Sequence, residues 1–466
     1  MIVKVDKKVH FTGIKGVGMA ATALCYQDLG WRVSGSDVAE VFVTDEFLRE
    51  RKIEIKAGFS AGNIDQNLDL LIYTGAHKGI GNPEVMEAEK SGVRAISQAE
   101  AVGELMEGKI GLSVCGVGGK TTSSGMIATV LEIAGMDPSY LVGVGGIKGL
   151  DFPGKMGQGK YFVAEADEYV VAPGSDKTPR FMYQKPEIIV VTNLAYDHPD
   201  VYENFSETKK AFLKFFGNLT HTGWLVVNGD DKELVGLAQE SGKRIVTFGK
   251  GPNCDWKLVS SQKLEDGMQG LVVEHEAEKL ELDLKVMGEH NGMNALAAVI
   301  ACKLLKVGDE DIKRGLVSFG GTKRRLEQVG HKNGIIYLDD YAHHPLEIKA
   351  TIGTVKDWYK GRRLVSLFQP HTFSRTKALY SEFAGSFEGA DEVIITDIFA
   401  SAREERDESV SGEMLARKIA DNGLKAVFVG MDDLVEYIGR ILVSGDVFLT
   451  MGAGDIYNVH EQIFKK

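Results

Sequence analysis

Cys115-Gly116-Val117-Gly118-Gly119-Lys120-Thr121-Thr122 follows an apolar run at 110–114 and precedes 123–134, a segment of helical character. Buried strand, Gly-rich turn, Lys-Thr and helix make the layout of a phosphate-binding loop. The glycines let backbone N–H groups converge on phosphate oxygens, and the helix N-terminus adds partial positive charge. In such a loop Lys120 reaches the β- and γ-phosphates of ATP and Thr121 ligates Mg2+. The cradle is Gly116, Val117, Gly118, Gly119, Lys120, Thr121 and Thr122. A tight strand-to-helix turn with a surface lysine is the competing account. The loop is short, because Val114 stands where the usual pattern takes its first glycine.

The chain around it has 466 residues, enough for about three domains. Hydrophobic residues make 44% and charged residues 26%, ordinary values for a soluble globular protein. A formal net charge of −12 disfavours a nucleic-acid partner. Local basic clusters remain compatible with a small anionic substrate. Cys25, Cys115, Cys254 and Cys302 lie far apart, without metal-ligand spacing, and read as reduced thiols of a cytoplasmic protein. Met1–Lys8 lacks the apolar region of a secretory signal, and no window is long and apolar enough to span a membrane.

The N-terminal stretch opens β-α-β. Residues 9–14 read as a strand, Gly13–Met19 as a turn and 20–29 as a helix; Val33-Ser34-Gly35-Ser36-Asp37 ends a second strand. An acid at this distance suits a ribose hydroxyl, which raises the alternative of a nucleotide-binding oxidoreductase. Lys15 breaks the dinucleotide pattern at a glycine position. A nucleotide diphosphate on the helix N-terminus at Gly16, Val17 and Gly18, with Lys15 adding charge, fits better than NAD. A further strand ends in Thr74-Gly75-Ala76-His77, and Met106–Lys109 reads as a linker. The expected fold is α/β in three domains: a Rossmann-like domain at 1–107, a P-loop ATPase-like domain at 108–322 and a Rossmann-like domain at 323–466.

Ligands of an open parallel sheet sit beyond the C-terminal strand ends. In the central domain those ends carry Glu165-Ala166-Asp167-Glu168 and Asn193-Leu194-Ala195-Tyr196-Asp197-His198. Thr121, Glu165 and His198 together suit a Mg2+ site beside the phosphates. Antiparallel alternation is expected within 257–286. His290 and Asn291 open an Ala-rich helix, where Asn291 or Asn294 is equally suited to capping. Arg324 and Arg325 either contact phosphates or solvate a hinge. In the third domain, strands end in Asp339–Pro345, Gln369–Arg375 and Gly452–Asp455.

These motifs, in this order, resemble the Mur ligases of peptidoglycan synthesis over essentially the whole chain. The resemblance rests on Gly13–Met19 with Ser34–Asp37, the compact Gly-x-Gly-Gly-Lys-Thr-Thr loop, Glu165–Glu168, Asn193–His198 and His290-Asn291-x-x-Asn294. Arg324-Arg325, Asp339–Pro345, Phe368–Arg375 and Gly452–Asp455 extend it. It implies ATP-dependent joining of L-alanine to the lactoyl carboxylate of UDP-N-acetylmuramate through an acyl phosphate. Lys120 and Mg2+ on Thr121 and Glu165 then neutralise the β- and γ-phosphates, and the resemblance implies a second Mg2+ on Glu165 and His198 near the substrate carboxylate. His290 and Asn291 then hold adenine, and Arg325 and Asp340 contact the nucleotide. His371 and Arg375 receive the amino acid, with His344 counted beside them. Lys15, Gly16, Val17, Gly18, Ser36, Asp37, Thr74 and His77 bind the UDP-sugar. A monomer or homodimer is expected. Gly118 departs from the family, which carries a polar side chain such as His there, and Lys15 replaces a Gly. Glu165–Tyr169 is similar to the recycling ligases that add a tripeptide to the same UDP-sugar, which leaves that substrate as an alternative. A carbamylated lysine near the metal, as in some members, would fall among Lys209, Lys210 and Lys214.

Overall fold

The computed structural model describes residues 7–276, 278–400 and 406–465. Residues 1–6 of the Met1–Lys8 stretch, read as lacking a secretory signal, lie outside them. The chain forms two compact units. One holds the chain up to Tyr196, Asn204–Val286 and Asn291–Thr322; the other holds Asp197–Glu203, Met287–His290 and the chain from Lys323 onward.

The first unit contains two large sheets. The N-terminal sheet is parallel throughout, in the order Glu54–Ala57, Arg32–Asp37, Lys8–Thr12, Leu70–Tyr73, Arg94–Ser97. Its strand-helix alternation, with apolar runs such as Leu70-Leu71-Ile72, is what buries both faces of a parallel sheet. The first strand ends at Thr12 rather than Ile14, because Gly13 takes φ +82° and turns the chain toward the helix Val17–Asp28.

The second sheet is centred on Ile110–Cys115, which pairs in parallel with Ile188–Val191 on one side and Tyr161–Glu165 on the other. Beyond Ile188–Val191 come Trp224–Asn228, Arg244–Gly249 and then the antiparallel strands Trp256–Lys263, Gln269–His275 and Glu278–Leu284. The antiparallel segment is where alternation predicts it. Val114, Val130, Leu131, Val190 and the Ala-rich helix Glu289–Leu304 share one core. That helix starts before the expected residue 295, directly after Gly288 at φ +102°. Asn291 and Asn294 are therefore buried inside its first turns instead of capping it.

The second unit has one six-stranded sheet in the order Glu327–Lys332, Ile335–Asp340, Val447–Met451, Leu364–Phe368, Glu392–Ile395, Ala426–Phe428. The first pair is antiparallel and the rest are parallel. Polar segments at the ends of these strands carry the third domain's candidate residues, as the strand-end argument requires.

Candidate functional site

The phosphate loop is built by two glycines that no other residue could replace without rearrangement. Gly116 has φ +121°, and a Cβ there would lie 2.4 Å from Thr192 Oγ1. Gly119 has φ +88°, and a Cβ there would lie 2.4 Å from Asn294 Oδ1. Gly118, the odd residue of the loop, is held by its backbone: its N–H donates to Asn193 Oδ1 at 3.0 Å, and its carbonyl accepts from Asn193 Nδ2 at 3.0 Å and Thr192 Oγ1 at 2.5 Å. Asn193 thus rigidifies the turn through hydrogen bonds rather than through a side chain at 118. The helix Lys120–Ile133 begins directly after Gly119 without a side-chain cap, so its N-terminus keeps the anion-binding character of the motif.

Lys120 Nζ donates to the Gly116 carbonyl at 2.6 Å and to the two Glu168 carboxylate oxygens at 3.0 and 3.2 Å. Burial opposes its charge, but Glu168, Asp167 and Glu165 hold its pKa above the ordinary lysine value. The ammonium is charged, beside the glycine cradle, and already matched to an anion, which is the chemistry a phosphate requires. The alternative of a solvated surface lysine is excluded. Thr121 is buried in the first helical turn, and Glu165 Oε1 accepts the Gly143 N–H at 2.8 Å. A hydroxyl and a carboxylate are suitable oxygen donors for Mg2+. Sequence reasoning left Glu168 and Asn193 without roles, although both stand in the motifs it singled out.

At the edge of the N-terminal sheet, Asp37 and Ser36 are buried and already engaged. Asp37 accepts the N–H of Lys15 at 2.7 Å and of Val38 at 2.8 Å, and lies 3.7 Å from His77 Nε2. Ser36 Oγ donates to Glu84, which also accepts from Thr12 Oγ1 at 2.8 Å and Asn63 Nδ2 at 2.6 Å. Burial disfavours the Glu84 carboxylate, but His10, Ser36, Asn63 and Thr12 hold its pKa at about 2. Thr74 Oγ1 accepts the Ala76 N–H at 3.3 Å, shaping the turn before His77. Gly16, Val17 and Gly18 open the first helix without a side-chain cap, as a diphosphate site requires. Lys15 is a correction: its ammonium donates to the carbonyls of Val38 at 3.1 Å and Glu40 at 2.9 Å, not toward that helix N-terminus.

In the second unit, Arg375 is 5% exposed and donates from Nε to Asp197 Oδ1 at 2.9 Å and from Nη1 to the His371 carbonyl at 2.9 Å. His198 Nδ1 lies 3.4 Å from Arg375 Nη2, and the His371 ring stacks on Phe399 with centroids 5.6 Å apart. Burial acts against the Asp197 carboxylate, yet His198 and Arg375 hold it well below the usual carboxylate range. Burial pushes the neighbouring His343 down to about 4, so Arg375 is the permanent cation of this cluster. Asp340, on the end of its strand, is driven up to about 7 by burial against the opposing charge of Arg325. Arg325 lies 3.7 Å from Glu347 and covers the Tyr341 ring at 5.0 Å. Arg324 is a brace for the fold: Nε pairs with Asp339 at 3.0 Å while its other nitrogens reach the carbonyls of Gly452 and Gly454. It is neither a phosphate contact nor a solvated hinge residue. His290 Nδ1 lies 3.2 Å from Thr354 Oγ1, and burial pushes its pKa down to about 4. His344, counted with the amino-acid site, has a structural role of its own. It is buried, and its Nδ1 accepts the Leu346 N–H at 3.2 Å, so it caps the helix Pro345–Trp358. His198 belongs to this unit, while Thr121 and Glu165 belong to the first.

Three family models match the chain in succession. The description "Mur ligase family, catalytic domain" fits residues 8–110, "Mur ligase middle domain" fits 114–302, and "Mur ligase, glutamate ligase domain" fits 324–454. The chain belongs to the Mur ligase family. A UDP-N-acetylmuramate–L-alanine ligase of Acetivibrio thermocellus is 38% identical over 463 residues, covering 98% of this chain and 96% of that one. The crystal structure of the UDP-N-acetylmuramate–alanine ligase of Thermotoga maritima superposes with a TM-score of 0.82 at 30% identity, covering 98% of each chain. A murein peptide ligase of Psychrobacter arcticus shares the fold, with a TM-score of 0.71 at 22% identity and 98% of each chain covered.

Proposed function

We propose that this Mur ligase joins L-alanine to the lactoyl carboxylate of UDP-N-acetylmuramate, with ATP cleaved to ADP and phosphate, as a step of peptidoglycan synthesis. The observation that carries the reading is the 38% identity to a ligase of that name along 98% of the chain. The carboxylate attacks the γ-phosphorus of ATP, the bond to the β-bridging oxygen breaks and ADP leaves. The amine of alanine then attacks the acyl carbon of the acyl phosphate, and phosphate leaves with the bonding pair. Phosphoryl transfer of this kind depends on positioning and charge neutralisation.

Lys120 neutralises the β- and γ-oxygens once they displace Glu168, while Gly116–Gly119 and Thr122 cradle the phosphates. Thr121, Glu165 and His198 would hold Mg2+, which supplies further neutralisation of phosphate charge. His290 and Asn291 take adenine, and Arg325 and Asp340 contact the nucleotide. Arg375 receives the alanine carboxylate with its position preset by Asp197, and His371 lies beside it. Gly16–Gly18, Ser36, Asp37, Thr74 and His77 bind the UDP-sugar. The domain limits 1–107, 108–322 and 323–466 follow the same division of labour.

Among the described residues no helix is long and apolar enough to cross a membrane. Cys25, Cys115, Cys254 and Cys302 are free and buried, which supports a reducing, cytoplasmic setting. The test is ADP release measured across candidate acceptors. Turnover is expected to require both UDP-N-acetylmuramate and L-alanine. Turnover with the tripeptide and none with alanine would transfer the chain to the recycling reaction, and NAD(H) binding without ADP release would point to an oxidoreductase.

A further inference from the structure

Lys15 stands where the dinucleotide turn takes glycine, and the structure sends its side chain away from the turn. The ammonium has three donors. Two go to the carbonyls of Val38 and Glu40 at 3.1 and 2.9 Å, and the third direction faces Asp45 at 3.4 Å. The rest of the residue is bound to the same loop. Its N–H donates to Asp37 at 2.7 Å, and its carbonyl accepts from the Thr44 hydroxyl at 2.6 Å. Thr44 is wholly buried and Lys15 is 8% exposed. One residue therefore clasps both ends and the middle of the segment 37–45.

That segment follows the strand carrying Ser36 and Asp37, so it stands at the sheet edge read above as the nucleotide site. At its far end the Phe42 N–H donates to Asp45 at 2.6 Å, where the helix Asp45–Glu50 begins. Val41 is 81% exposed, and Phe42, 36% exposed, lies with its ring 5.8 Å from the ammonium. On the other side Val43 packs against Gly145, where a Cβ would come within 2.8 Å of Val43 Cγ2. The buried ammonium takes two of the loop's carbonyls and lies near the Phe42 ring.

We propose that Lys15 is a positioning residue for the UDP-sugar: it locks the segment Val38–Thr44 as a wall of the nucleoside end of the site and makes no contact with the diphosphate. The proposal rests on the ligase reading of the N-terminal domain. A lysine on the diphosphate would favour UDP over uridine. A lysine that builds the wall acts on both ligands alike.

The experiment compares UDP and uridine binding to the full-length protein by ligand-observed NMR, for wild type, Lys15→Met, Lys15→Arg and Thr44→Val. Lys15→Met should weaken UDP and uridine by the same factor, about tenfold for the loss of charge-assisted hydrogen bonds. In the ADP-release assay its KM for UDP-N-acetylmuramate should rise by a similar factor, with kcat and the KM for ATP within twofold of wild type. Thr44→Val, which cuts the other end of the clasp, should shift both ligands together, and Lys15→Arg should recover part of the loss. Lys15→Met weakening UDP with uridine unchanged would overturn the proposal in favour of a diphosphate contact. A parallel fall in kcat, both KM values and thermal stability would overturn it in favour of a general structural role. Wild-type protein that binds neither UDP nor uridine would instead remove the ligase reading beneath it.

Discussion

Lys120 in the first unit and Arg375 in the second are both cations resting on a carboxylate of their own chain, and they are held in different ways. Lys120 meets Glu168 at 3.0 Å and is 16% exposed at its side chain. Arg375 meets Asp197 at 2.9 Å and is 6% exposed at its side chain, with a second nitrogen on the His371 carbonyl. A lysine is a point charge on a flexible stem, so it can exchange one anion for another by rotating that stem. An arginine is a planar fork whose remaining edge is aimed by whatever holds the first. Glu168 therefore reads as a placeholder for a substrate anion, and Asp197 as a fixed mount. Both devices keep a charge buried, and on the proposed function one serves a group that transfers and the other a group that must be oriented.

The strongest way to break this comparison is Lys120→Ala. Neutralisation of the transferring phosphate is lost, so ADP release should fall by about 10³-fold, the scale set by removing one preorganised charge-stabilising donor. UDP binding by the N-terminal sheet edge should be unchanged in the same protein. Near-normal turnover would remove Lys120 from the chemistry and with it the placeholder role of Glu168.

Asp197→Asn tests the mount. It leaves a buried guanidinium without its carboxylate, at a cost of about 3 kcal/mol of stability, read as a lowered denaturation midpoint. It should also raise the KM for alanine more than that for ATP. The pH dependence has a definite sign. Asp197 is held below its unfolded pKa, so its contribution is complete above about pH 4 and is lost as pH falls through the folded value. Wild type should lose stability steeply on acidification below that point, and Asp197→Asn should show a shallower acid limb. An unchanged acid limb would mean that Asp197 is not the group holding Arg375.

These residues also show where the sequence stops being readable. The phosphate loop is legible because strand, glycines, lysine and helix are contiguous, and the structure changes little beyond starting the helix at Lys120. The pairing of Asp197 with Arg375 spans 178 residues, and nothing local announces it. Asp197 and Arg375 were each visible in a strand-end motif, but their pairing was not. Lys15 failed for a different reason. A cation beside a Gly-rich turn suggests an anion nearby, yet the acceptors are backbone carbonyls of Val38 and Glu40, which have no signature in side-chain identity. Gly118 likewise looked like a lost side chain, whereas its backbone is held by Asn193 from another strand end.

His344 provides the smallest test and separates the two meanings of a polar residue at a strand end. Its ring accepts the Leu346 N–H, while Glu347 reaches back to the N–H groups of His343 at 3.0 Å and His344 at 3.2 Å. These are the reciprocal bonds of a capped helix start, which require proximity in sequence and no ligand. His344→Ala should therefore cost about 1 kcal/mol of stability and leave the KM for alanine within twofold of wild type. His344→Asn, a strong helix cap, should restore the stability. If His344→Asn keeps the stability but raises the KM for alanine, the ring meets substrate, and the mount built around Asp197 and Arg375 extends to a third side chain.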